Sequence, residues 1–164
     1  MIGQILARTP AWVYVLFVAL VALGLWQVRT RTLSLARLLL LPAVMVAFAL
    51  YGLLSLFGDK AQALAPWLVA LIATTLALMV AQYPRGVTLA DGSFSVPGSW
   101  IPFAVIMTIF FLRYAVTVAV QMQPELRGST LLEIAAGLVY GMSSGFFTGR
   151  ALSILRSGRR PSPA

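Results

Sequence analysis

One arginine lies where a charge is costly. Arg113 sits inside an apolar run, eight residues before Gln121. On a helix rising about 1.5 Å per residue, that places it roughly 12 Å from the end of the run. A charge at such depth in a bilayer costs about 2.5–3.5 kcal/mol on insertion scales, so it must face protein or water and have a partner. Glu133, at the start of the next run, is the expected partner, and Tyr114 and Tyr140 can add hydroxyl groups to the same network. Two kinds of chemistry fit this group. The pair can lock two helices together. Alternatively, Arg113 binds an anionic group or Glu133 takes up a proton, as in a small transporter or channel with a polar path. The sequence supplies one such pair and no chain of groups for a relay.

Other chemistries are excluded by residue type. The chain has no Cys and no His. Thiol catalysis, disulfides, iron–sulfur clusters, His-ligated zinc or haem, and triads that need His or Cys are ruled out within it. Its four acidic residues, Asp59, Asp91, Glu125 and Glu133, are scattered, so an oxygen-ligand metal site is not expected. Met45, Met79, Met107, Met122 and Met142 fall one or two to an apolar run, as core filling does. We expect no metal, no cofactor, no catalytic residue and no enzymatic activity. An intramembrane enzyme would have to rest on Glu133, Asp91, tyrosine and arginine alone.

The elements that must position these groups are membrane helices. Of 164 residues, 60% are hydrophobic and 10% charged, and mean hydropathy is +0.94. A soluble domain has about 45–50% apolar and about 25% charged residues. Too few polar residues remain to cover the apolar surface, so most of the chain must face lipid. The net charge of +8 does not point to nucleic acid, because the arginines sit at the ends of apolar runs instead of forming a basic surface.

Spans are expected at about 11–28, 35–57, 64–83, 100–121 and 131–155, making one polytopic domain over 1–156 with a basic, disordered tail at 157–164. Trp12 and Trp26 mark the ends of the first span, and Arg29 to Ser34 reads as a tight basic turn. Pro42 either kinks the second span or lies near enough its start to be tolerated. Thr74 and Thr75 are expected to bond back to their own helix. The long loop is patterned: Asp91-Gly92 between alternating residues predicts a two-residue β-hairpin over 87–96. That register pairs Leu89 with Phe94, Val87 with Val96 and Thr88 with Ser95. A rigid connector is its simple role and a gating lid the other.

The fifth run carries Gly137, Gly141, Gly145 and Gly149, one every fourth residue. Four residues is just over a turn, so these form a smooth ridge, a glycine zipper, on one helix face. Close backbone approach over small residues is a main source of helix association in lipid. The ridge can seat a neighbouring helix or a second copy of the chain, and the spacing leaves both open. A groove for a lipid or flat ligand is the further alternative.

With five spans the termini lie on opposite sides. Arg8, Lys60 and Arg127 fall on one side. Arg29, Arg31, Arg37, Arg85, Arg150, Arg156, Arg159 and Arg160 fall on the other. The positive-inside rule then places the N-terminus outside, and the C-terminus and hairpin in the cytoplasm.

Gly98-Ser99-Trp100-Ile101-Pro102 and Phe110-Phe111-Leu112-Arg113-Tyr114 resemble segments of small uncharacterised inner-membrane proteins of proteobacteria. The order of five spans and the Asp-Gly hairpin fit as well. The resemblance implies a bacterial inner membrane and carries no functional residues over. The fold expected is an all-α bundle of five transmembrane helices with one short cytoplasmic β-hairpin between the third and fourth. The first functional reading is a non-enzymatic protein acting through helix–helix association. Its partners would be the lipid bilayer and a second copy of the chain or another membrane protein, with no role for nucleic acid. The alternative is a small transporter or channel with its polar site at Arg113 and Glu133.

Overall fold

The computed structural model describes residues 11–84, 87–89 and 92–158. In chain order these are α1 (Ala11–Trp26), β1 (Arg31–Leu33), α2 (Leu35–Phe57), α3 (Ala61–Ala81), β2 (Val87–Thr88), β3 (Phe94–Val96), α4 (Ile101–Met122), a 3-10 turn (Pro124–Gly128) and α5 (Thr130–Gly158). Helices α2 to α5 are each long and apolar enough to cross a membrane. At 16 residues, α1 is shorter than the roughly 20 residues that a span needs. Among the described residues, four spans of sufficient length therefore stand where five were expected. The expected tail begins late: Ser157 and Gly158 continue α5, and residues 159–164 lie outside the described ones.

Lipid is the solvent that this surface fits. Leu68, Ile72, Leu76 and Val80 recur every four residues along α3, and Val80 is 82% exposed. An apolar stripe of that length would be a liability in water. In lipid it needs no cover, and the apolar helices indicate a multi-pass membrane protein.

The glycine ridge sets the packing order. It lies directly on α3 within the same chain. A side chain built at Gly137 would strike the carbonyl oxygen of Ala63, and one at Gly141 that of Trp67. At Gly145 it would come within 2.5 Å of Leu71 O, and at Gly149 within 3.0 Å of Thr75 Cα. Each step of four residues along α5 thus meets a step of four along α3. Thr75 does not bond within its own helix as expected. Its Oγ1 donates across the seam to Gly145 O at 3.3 Å, a reach that only the missing side chain of Gly145 permits.

On its other side, α5 meets α2. Ala49, Leu53 and Phe57 form a cluster with Ala63, Ala136 and Tyr140. Pro42 is buried within α2. Helix α4 packs mainly on α1, where Gly24 admits Phe103, and Phe17 lies 5.2 Å from Phe110 between ring centres.

The β-structure differs from the expectation in two ways. The sheet has three strands, ordered β1-β3-β2. The residues read as a basic turn supply β1, with Arg31 opposite Val96 and Leu33 opposite Phe94. The hairpin register is also shifted by one residue, pairing Val87 with Ser95 and Thr88 with Phe94. Leu89 N bonds Ser93 O, Gly92 N bonds Leu89 O, and Gly92 has φ +78°. This is the bonding of a three-residue loop with glycine in the left-handed position, not of a two-residue turn. Leu33, Phe94 and Val96 pack with Leu38, Ala151 and Ile154, so the sheet closes one end of the bundle over the C-terminal part of α5.

Candidate functional site

The expected polar pair does not form as drawn. Glu133 bonds Lys60, not Arg113, and its side chain is nearly covered while that of Lys60 is half-exposed. The glycine seam explains the choice. It holds the start of α3, where Lys60 lies, against the start of α5, while α4 makes far less of the contact with α5. Lys60 reaches a carboxylate that Arg113 would need to approach from a more distant helix.

Arg113 is met by aromatic rings instead. Its guanidinium carbon lies 4.7 Å from the ring centre of Phe48 and 5.9 Å from that of Tyr51. Gly52 opens the space, since a side chain there would come within 2.9 Å of Arg113 Nη1. Tyr140 Cε2 borders the same position, and Tyr140 is buried. Cation–π contacts of this kind contribute about 0.5–2 kcal/mol each. Arg113 thereby ties α4 to α2. Tyr114, beside it on α4, is half-buried.

The polar groups that converge are elsewhere. A cavity of about 360 Å³ lies between α1, α2, the sheet and α5, and Gln27, Arg31, Arg37 and Arg150 all line it. No lining residue is acidic. Strand alternation aims Arg31 inward, on the same face as Leu33. Helix periodicity does the same for Arg150, flanked along α5 by Phe147, Ala151 and Ile154. Arg150 is 5% exposed and Gln27 is 1% exposed. Arg150 Nη1 and both polar atoms of the Gln27 side chain are buried without a hydrogen-bond partner among the described residues. Arg31 is close enough to repel the charge of Arg150, and it stacks on Trp26 at 4.7 Å. Partial burial lowers the Arg31 guanidinium from its ordinary value by desolvation, though an arginine stays protonated at neutral pH. Arg150 is buried, Arg31 half-buried and Arg37 exposed, and a cluster of one sign with a buried donor lacking an acceptor can receive an anion.

The profile of a family of unknown function, DUF6622, matches residues 1–164. The chain belongs to this family. No curated protein and no solved structure matches it. Membership in DUF6622 agrees with the resemblance to uncharacterised proteins and assigns no chemistry, so the chemistry must come from the site.

The sequence reading missed this cluster. Its arginines lie at 31, 37 and 150, and the positive-inside rule accounts for each one alone. Two signals were present. Arg31 and Leu33 alternate as strand residues do. Arg150 falls inside the helical pattern, with Ala151, Ile154 and Leu155 still to come, instead of at its end.

Proposed function

We propose that this protein is a non-enzymatic binding component of a bacterial inner membrane. It has its N-terminus outside and its C-terminus in the cytoplasm, and it holds an anionic group in the arginine-lined cavity. The observation that carries this reading is the buried Arg150, whose Nη1 lacks an acceptor beside two further arginines and an unpartnered Gln27. Leaving buried polar atoms unpaired costs about 1–3 kcal/mol each, and more for charged ones. A bound anion can accept from Arg150 Nη1 and Gln27 Nε2, and it offsets the repulsion between Arg31 and Arg150 as well.

The other readings have less support. The ridge of Gly137, Gly141, Gly145 and Gly149 is seated on α3 of its own chain, so it no longer argues for association between copies. The path needed by a transporter at Arg113 and Glu133 is weakened by the rings over one and the lysine on the other.

Direct binding tests the proposal. Wild type and Arg150→Gln in neutral detergent are equilibrated with radiolabelled inorganic phosphate or radiolabelled dodecyl phosphate, and bound label per protein is counted. Saturable binding of at least one anion by wild type, lost in Arg150→Gln, is the expected result. No saturable binding of either by wild type would overturn it.

A further inference from the structure

The cavity is polar at one end and apolar along its length, and that gradient says more than charge alone. Arg37 lies two residues after the start of α2, whereas Leu41, Val44 and Met45 line the cavity farther along the same helix. From Arg37 to Met45 is eight residues, roughly 12 Å along the axis. In a membrane the start of α2 lies at headgroup depth and the later residues lie among acyl chains. The charged end of the cavity therefore sits where lipid phosphates are, and the apolar end points into hydrocarbon.

Two further features agree. The lining includes Leu40 at 62% and Val44 at 49% exposure, so the cavity opens sideways where α2 faces lipid. Its volume of about 360 Å³ is in the range of about 300–1,000 Å³ for small-molecule sites, well beyond what a lone tetrahedral anion fills.

Resting on the anion-binding reading, we infer that the occupant is an anionic phospholipid of the surrounding bilayer. Its phosphate sits among Arg31, Arg37 and Arg150, with Gln27 beneath, and one acyl chain lies along Leu40, Val44 and Met45. A phosphate-bearing anion is the shared chemistry, and free phosphate is the competing source. The lipid enters between the helices and needs no aqueous path.

The test uses the full chain in nanodiscs of equal phosphatidylglycerol and phosphatidylcholine. Native mass spectrometry counts the lipid retained on release. Wild type should keep one phosphatidylglycerol in preference to phosphatidylcholine. Arg150→Gln should lower that retention about tenfold or more, as expected for one lost charge-assisted hydrogen bond. Val44→Trp, at an exposed position of α2, fills the apolar end and leaves the arginines intact. It should lose the lipid and still bind radiolabelled phosphate in detergent. If Val44→Trp and wild type retain phosphatidylglycerol equally, or if wild type keeps both lipids equally while binding free phosphate, the lipid inference fails and the anion reading stands. If wild type binds neither lipid nor phosphate, both fail.

Discussion

The two faces of α5 are built for different ends. Toward α3, each of the four glycines meets backbone, and Thr75 donates across the seam to Gly145 O, while Trp67 Nε1 on α3 and Ser144 Oγ on α5 are neutral buried atoms without a partner among the described residues. Toward the cavity, the same helix presents a buried guanidinium with an unused donor, facing another arginine and an unpartnered glutamine. A helix surface filled by close backbone contact, with no buried charge left over, has completed its work on folding. One that keeps costly groups buried and unpaired needs something else to complete it. Stability should thus concentrate on the first face and recognition on the second.

The largest effect should come from the closed face. Gly141→Leu drives a side chain into the Trp67 carbonyl and Ala70, backbone that cannot step aside. A loss of at least about 3 kcal/mol is expected, read as collapse of folded yield in detergent. A folded Gly141→Leu protein of wild-type stability would break the comparison.

The next effect is where α3 and α5 begin. Lys60→Met leaves the covered Glu133 carboxylate without its cation, at about 1–3 kcal/mol or somewhat more. Glu133→Gln should cost less, because the freed lysine reaches solvent. Thermal melts of the two variants check that order, and equal losses would mean the burial of Glu133 is not the cause.

Arg113→Met should be milder still, near 1 kcal/mol, the scale of a cation–π contact over Phe48. Its melting point should fall slightly, and anion binding should remain.

The smallest stability effect should be at Arg150. Arg150→Gln removes a buried charge with an unpaired donor and its repulsion with Arg31. The unliganded protein should melt within about 0.5 kcal/mol of wild type, or higher. A large loss would move Arg150 to the structural face of the comparison.

Sequence periodicity made the framework legible. Apolar run lengths marked the helices, and the four-residue glycine spacing marked the tightest seam, though not which helix would fill it. Once α3 is known to fill it, Lys60 as the partner of Glu133 follows from the placement of the two helix starts. Asp91-Gly92 misled on register because Gly92 serves a two-residue turn and a three-residue loop equally well, and a shift of one residue exchanges the faces. Residue Asp91 itself lies outside the described residues. The strand at Arg31–Leu33 was hidden by its brevity and its charge. The cavity was least legible: Arg150 is distant in sequence from Arg31 and Arg37, and only the folding of β1 onto β3 and α5 brings them together.

The central claim is that Arg150, and not Arg113, is the arginine kept for a ligand. Parallel thermal melts of wild type, Arg113→Met and Arg150→Gln, with and without phosphatidylglycerol in neutral detergent, test it most directly. At a ligand concentration of 100 times Kd, binding to the folded state alone adds about 2.7 kcal/mol. The lipid should raise the melting points of wild type and Arg113→Met alike and that of Arg150→Gln by about half as much or less, since a tenfold weaker site gains about 1.4 kcal/mol at the same lipid concentration. An equal rise in Arg150→Gln, or a rise lost in Arg113→Met alone, would contradict the account.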